Sequence, residues 1–162
     1  MDAEALAGNL RERFDDVAMA RGEVTVTVDR PGLLDALRTL RDDGFGFLAD
    51  VSCTDWPGRE PRVWMAYHLH DREGGRRVRV KVGLTEEDLT APTATELFPA
   101  ADWHEREVYD FFGVVFQGHP DLRRILMPDD WEGYPLRKDH PLGGVPTQYK
   151  GAFVPPPDER GL

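Results

Sequence analysis

Residues 62–82 read RVWMAYHLHDREGGRRVRVKV, and their alternation decides the fold. Val63, Met65, Tyr67 and Leu69 fall on one side of an extended chain, and Val78, Val80 and Val82 on one side of a second. Successive side chains of a strand point to opposite faces, so each run has one apolar face and one polar face. Glu73-Gly74-Gly75-Arg76 between them is a hairpin turn, because glycine supplies the backbone angles such turns need.

Working outward, Phe45–Asp55 reads as a third strand with glycine interruptions, followed by a turn at Pro57-Gly58. Val24, Val26 and Val28 alternate with threonine as a half-buried strand. Between these lies a helix opened by Asp29-Arg30-Pro31-Gly32, striped by Leu33, Leu34, Leu37 and Leu40 and closed by Gly44. Leu6, Leu10, Phe14 and Val17 sit at helical spacing, which predicts one helix over residues 3–20 ended by Gly22. The order is helix, strand, helix, three strands. This is an α+β, two-layer fold with a mixed β-sheet and helices packed on one face.

The chain has 162 residues, 40% of them hydrophobic, enough for one domain with a real core. Its net charge of −10 argues against nucleic acid, which needs a basic footprint, and against a direct grip on anionic lipid. No apolar run approaches the ~20 residues that span a bilayer, and the N-terminus lacks a secretory signal pattern. The expectation is a cytoplasmic protein. Cys53 is the single cysteine, so this chain alone can close no disulfide and hold no iron–sulfur cluster. Cys53 itself reads as a small buried hydrophobe. No P-loop, dinucleotide fingerprint or nucleophile elbow is present.

Residues 85–99 form a connector. Then comes 102–141, DWHEREVYDFFGVVFQGHPDLRRILMPDDWEGYPLRKDHP. Asp102 as N-cap with Glu105 three residues on resembles a capping box, and Gly113 after Phe112 is a helix terminator. Beyond a short extended piece at 114–116 the chain is rich in proline and glycine. We therefore divide it into a core domain, 1–116, and an ordered C-terminal ribbon, 117–162, of the same domain, with GAFVPPPDERGL as a terminal arm.

On the helix, Arg106 and Asp110 are four apart and share a face, while Glu107 and Asp110 are like charges three apart. That repulsion predicts a nearby cation from Arg123, Arg124 or Arg137, brought back by the turn Gly118-His119-Pro120. Val108, Phe111 and Phe112 are expected to pack on the sheet. An enzyme reading would use Glu105, Glu107 and Asp110 as acid and base with His119 or His104 as shuttle. A metal reading would use His104 with Glu107, or His68 with His70, but each pair supplies only two ligands. Trp56, Trp64, Trp103 and Trp131 read as core or interface anchors.

The ribbon resembles the 30 kDa subunit family of respiratory complex I, which in bacteria is the C subunit of NADH-quinone oxidoreductase. The motif is carried by Glu105, Arg106, Glu107, Asp110, Phe111, Phe112, His119, Arg123, Ile125 and Leu126, and by Asp130-Trp131, Gly133 and Pro135-Leu136-Arg137-Lys138-Asp139. Val51–Asp55 before Trp56-Pro57, Tyr67-His68-Leu69 and Val78–Val82 extend the likeness over roughly 24–142. Tyr134 and His140 depart from it, standing where many members have a histidine and an aromatic. The resemblance implies a structural subunit of the hydrophilic arm with no cofactor of its own, FMN and iron–sulfur clusters lying on other subunits. It implies docking on the D subunit, which helps form the quinone site, with the iron–sulfur B and I subunits as neighbours. It also implies a peripheral place on the cytoplasmic face of the cell membrane. The implied interface set is Glu105, Arg106, Glu107, Asp110, Gly113, Gly118, His119, Pro120, Asp121, Arg123, Arg124, Trp131, Pro135, Leu136, Arg137, Lys138 and Asp139, with no catalytic or metal residue. The alternative is the equivalent subunit of a related membrane-bound hydrogenase or a deazaflavin- or ferredoxin-driven dehydrogenase.

Overall fold

The computed structural model describes residues 3–141, and the backbone of 147–149 and 152–154. In chain order the elements are α1 (Ala3–Arg11), β1 (Asp16–Ala20), β2 (Glu23–Val28), α2 (Leu33–Asp42), β3 (Phe47–Asp55), β4 (Val63–His70), β5 (Arg77–Leu84), β6 (Thr90–Pro92), α3 (Ala101–Phe112), β7 (Val115–Gln117), β8 (Thr147–Tyr149) and β9 (Ala152–Val154). Five strands form one sheet in the order β1-β2-β5-β4-β3. Only the β2–β5 pair in it is parallel, so the sheet is mixed as expected.

The hairpin of 62–82 holds as read. β4 alternates buried and half-buried along its length, with Val63, Met65, Tyr67 and Leu69 inward, and β5 buries Val78, Val80, Val82 and Leu84. Asp71 builds the turn by accepting the N–H groups of Glu73 and Gly74 at 3.1 and 2.9 Å, and the Nε of Arg76 at 2.7 Å. α2 presents Leu33, Ala36, Leu37 and Leu40 to the same core, while Leu34 is only partly covered. Asp29 accepts the Gly32 N–H at 2.9 Å just before it.

The N-terminal expectation needs correction. The helix stops at Arg11, and residues 16–20 are an edge strand joined to β2 by the two-residue turn Arg21-Gly22. Both turn residues have positive φ, 54° and 77°, the geometry whose twist matches a two-residue hairpin. Val17 therefore pairs with Val26 across a sheet rather than extending the stripe of Leu6 and Leu10. Its helical spacing from Phe14 is coincidental. The connector 85–99 also holds a strand, β6, paired in parallel with β7, the strand that follows α3. The arm from 142 onward lies outside the described residues apart from the antiparallel β8–β9 pair.

Candidate functional site

α3 is the spine of the site. It packs beside the edge strand β3, burying Val108 and Phe112, with Phe111 partly covered. Gly113 ends it in the left-handed conformation, φ 80°, its N–H bonded to the Tyr109 carbonyl at 2.9 Å. A Cβ at Gly113 would lie 2.5 Å from the Tyr134 ring, so both conformation and space require glycine here. The helix begins at Ala101 after Ala100, with no side-chain cap. Asp102 is thus in the first turn, not at the N-cap, and the capping box does not form. Its Oδ1 is buried without a hydrogen bond among the described residues, 3.5 Å from Nε2 of His119.

Two carboxylates of α3 are fully buried, Glu105 and Asp110. Asp110 Oδ1 takes Arg124 Nη1 at 2.8 Å, and Oδ2 takes the backbone N–H groups of Ile125, Leu126 and Met127 at 3.0, 2.8 and 2.9 Å. Burial opposes its charge, but these donors outweigh burial and hold the carboxyl below its ordinary range. Arg124 also donates to the Asp110 and Gly133 carbonyls and lies over the Tyr134 ring. One carboxylate thus fixes the ribbon from 124 to 134.

The expected cation was one of three arginines, and Arg124 is the one found. Arg123 points outward, its side chain 71% exposed, and among the described residues it reaches only Asp121, at 2.9 Å. Arg106 does not pair with Asp110. It is buried and donates to the Arg123 and Arg124 carbonyls at 3.2 and 3.3 Å, because Asp110 already has a full set of donors. Glu107 is exposed beside the β3 groove, so the expected repulsion with Asp110 is relieved by the latter's turning inward.

Glu105 sits on the opposite side of the helix. It accepts Thr93 Oγ1 at 2.6 Å and the Ala94 N–H at 2.7 Å. With no arginine or lysine paired to it among the described residues, its carboxyl is pushed up to about 7 by burial, the two hydrogen bonds notwithstanding. His119, its side chain fully buried, places Nε2 4.0 Å from Glu105 and 3.2 Å from the Asp102 carbonyl. Nδ1 of His119 accepts the Asp121 N–H at 3.1 Å, which shapes the turn where Gly118 has φ 82° and Pro120 is exposed. Tyr67 is buried to the hydroxyl, which lacks a partner among the described residues; burial, then the nearby Glu105, raises its pKa.

The second anchor was not foreseen. Arg62 at the base of β4 grips Asp55 at the end of β3 through two bonds, 2.7 and 3.0 Å. Arg62 then holds Asp139 at 2.9 Å and also bonds Glu86, while Asp55 accepts the Lys138 N–H at 2.7 Å. Arg137 turns to Asp139 at 3.1 Å and to Glu86 at 3.6 Å, not to the helix acids. The available signal was opposite charges flanking the Pro57-Gly58 turn between two antiparallel strands. Between the anchors, the Leu136 N–H bonds the Phe111 carbonyl at 3.1 Å. Pro135 is half-buried, and Trp131 faces the His140 ring.

Pinned at both ends, the ribbon turns apolar groups outward. Leu126 and Leu136 are 62% and 48% exposed, as are Trp103 (60%) and Trp56 (46%). A groove of about 480 Å³ runs between ribbon and sheet, lined by Cys53, Thr54, Trp56, Pro57, Phe112 and Leu136, among others. The Cys53 thiol is pushed up to about 12 by burial, consistent with an inert packing residue. Among the described residues no group of three or more histidine, cysteine or acidic side chains could hold a metal ion. No helix among them is long and apolar enough to cross a membrane.

Comparison with known proteins follows the same residues. A relative from Saccharopolyspora erythraea, named as the C subunit of NADH-quinone oxidoreductase, is 51% identical over 89% of this chain and 59% of its own length. One of the same name from Citrifermentans bemidjiense is 50% identical over 88% of this chain and 92% of its own. The chain thus spans about three fifths of the first relative and nearly all of the second. A solved trypsin-resistant fragment of Nqo5 matches with a TM-score of 0.68 and 34% identity, covering 75% of this chain and all of the fragment. A chain of the archaeal membrane-bound sulfane sulfur reductase, a respiratory membrane complex, matches with a TM-score of 0.75 and 29% identity, covering 86% of this chain and 85% of that one. The family model for the respiratory-chain NADH dehydrogenase 30 kDa subunit matches residues 26–146, which include both anchors and the ribbon between them, and the chain belongs to that family.

Proposed function

We propose that this chain is a structural subunit, without a cofactor or catalytic group of its own, in the hydrophilic arm of a proton-translocating NADH:quinone oxidoreductase. Its partners are the D subunit at the quinone site and the neighbouring iron–sulfur B and I subunits, and it reaches the cytoplasmic face of the membrane only through them. FMN and iron–sulfur clusters belong to other subunits, and this chain supports electron transfer by holding its neighbours in register. The observation that carries the reading is the ribbon itself. Its buried charges are spent on internal anchors, while Leu126, Leu136 and the groove beside Trp56 remain open. Rigid, exposed apolar groups are what a permanent interface needs, since the cost of ordering them is met before binding. Residues 1–116 serve as the core and 117–162 as the interface segment of one domain. Within the interface set, Asp110, Arg124, Arg106, Glu105 and His119 shape the ribbon from inside. Leu136 and the exposed Arg123, Asp121, Pro120 and Lys138 face the partner.

The likeness to the sulfane sulfur reductase chain favours a second reading, the same role in a related membrane-bound redox complex. An affinity pull-down of the tagged chain from its own organism in mild detergent separates the two. Recovery with the quinone-site D subunit and an NADH-binding flavoprotein is the expected result. Recovery with hydrogenase-type or sulfur-reducing subunits selects the second reading. Recovery alone overturns both.

A further inference from the structure

Around Glu105, helix α3 meets three other parts of the chain. The segment after β6 brings Thr93, Ala94 and Thr95, the turn 118–121 brings His119, and β4 brings Tyr67. The Glu105 side chain is completely buried. Two polar atoms of this cluster are buried without a hydrogen bond among the described residues, the Tyr67 hydroxyl and Oδ1 of Asp102. The remaining ionisable groups here supply no fixed cation. Cys53 of β3 lies close enough to Tyr67 to act on its ionisation. Asp50 of β3 turns to His104 at 3.4 Å, Glu96 is exposed, and Arg106 donates to the carbonyls of 123 and 124. A charge on Glu105 would therefore be buried and unanswered.

A proton has two possible seats here, Glu105 and His119, 4.0 Å apart. The hydrogen bonds choose between them. Nδ1 of His119 accepts the Asp121 N–H at 3.1 Å, so it carries a lone pair. Nε2 faces the Asp102 carbonyl at 3.2 Å, and a carbonyl only accepts, so Nε2 holds the ring hydrogen. Both nitrogens are thus satisfied in the neutral ring, and a second proton on Nδ1 would set one N–H against another. Glu105 meets no such conflict. Its Oε1 takes the Ala94 N–H at 2.7 Å in either state, and its Oε2 lies 2.6 Å from Thr93 Oγ1, a group that both donates and accepts. When Glu105 is ionised, Thr93 gives its hydrogen to Oε2. When Glu105 is protonated, the acid gives its hydrogen to Thr93 Oγ1, and Thr93 turns its own to Thr95 Oγ1, 3.0 Å away. The Thr95 N–H stays on Thr93 Oγ1 at 3.2 Å in both arrangements.

We infer that this cluster is a proton-binding site seated on Glu105 and not on His119, and that the Thr93–Thr95 hydroxyl pair is the switch through which the proton comes and goes. Both threonines are half-buried, so the pair leads from the enclosed carboxyl towards water. One proton enters from solvent or leaves to it, the Thr93 hydroxyl reverses, and no backbone hydrogen bond is broken. Burial and the nearby Asp102 favour the protonated form, and the carboxyl's rise to about 7 sets the change near neutrality.

The test is nuclear magnetic resonance of the full chain, with glutamate carboxyls labelled with carbon-13 and histidine rings with nitrogen-15, from about pH 5 to about pH 9. Through-bond correlation to its own backbone amide assigns the Glu105 carboxyl in the wild type, so no variant has to fold for the main result. The expected result is a Glu105 signal that passes from acid to carboxylate with a midpoint near 7, while His119 keeps its single hydrogen on Nε2 throughout. Thr93→Val should raise the midpoint by about one pH unit, because a hydrogen bond to the charged form is the stronger one to lose. Thr93→Ser should restore it. A Glu105 carboxyl already ionised at pH 5 overturns the inference, as does a proton appearing on Nδ1 of His119 in place of Glu105. An unmoved midpoint in Thr93→Val overturns the hydroxyl switch. All these readings come from the chain alone, so none of them bears on its place in a complex.

Discussion

The two ends of helix α3 bury one carboxylate each and treat them in opposite ways. Asp110, near the C-terminal end, receives a guanidinium and three backbone N–H groups. Glu105, near the N-terminal end, receives one hydroxyl and one N–H, and no arginine or lysine among the described residues. Asp110 stays charged and organises the ribbon from 124 to 134. Glu105, its carboxyl pushed up to about 7, closes the seam between α3 and the segment that follows β6. A buried acid is therefore an anchor or a cost according to how many donors the rest of the chain brings to it.

The largest break in this contrast comes from Asp110→Asn. One amide N–H₂ would then face backbone N–H donors and leave Arg124 without its charge. We expect a loss of about 3–5 kcal/mol, or failure to fold, by urea unfolding. Because the folded pKa of Asp110 is lowered, the wild-type contribution is present above the unfolded value of about 3.9 and fades as pH falls through the folded one. Asp55→Asn weakens the other anchor. Arg62 keeps Glu86 and Asp139, so the expected loss is smaller, about 2 kcal/mol, with proteolysis appearing first between 135 and 141.

Glu105→Gln runs the other way. The amide carbonyl can still take the Ala94 N–H, and its N–H₂ can donate to Thr93. With a folded pKa raised to about 7 from an ordinary 4.5, the native state binds more protons than the unfolded state between those values. Stability should therefore fall as pH rises from about 4.5 to 7 and then level off, by at most about 3 kcal/mol. The variant should lose that slope and equal or exceed wild type at pH 8. A thermal-unfolding series across this range checks it, and an unchanged slope would assign it elsewhere. Arg123→Ala is the smallest: its side chain is exposed and, among the described residues, pairs only with Asp121, so isolated stability should move by no more than about 0.5 kcal/mol.

The same contrast explains what the sequence could and could not tell. Period-two runs such as Val63–Leu69 have one physical solution, a strand with one buried face, and the sheet follows from them. The site depended on which donor reached which acid. Helix spacing offered Arg106 to Asp110, but backbone N–H groups of residues 125–127 took that place, and Arg106 turned to carbonyls instead. Backbone donors carry no letter in a sequence. The Asp55–Arg62–Asp139 clamp joins the end of β3 to the far end of the ribbon, so its partners meet only once the sheet has formed. Asp16–Ala20 was missed because an exposed edge strand, with only Val17 half-covered, leaves a weak alternation that a neighbouring helix pattern can mask.

The claim that the ribbon is a docking element is tested most directly by Leu136→Asp in the organism's own complex. Leu136 is half exposed beside the groove, so the charge should leave the fold of this chain intact while spoiling an apolar contact. The measurement is the amount of assembled complex together with its turnover per complex. We expect markedly less assembled complex, each unit with normal NADH-to-quinone turnover. Normal amounts of complex with depressed turnover would contradict the account and move the ribbon from assembly to the reaction itself.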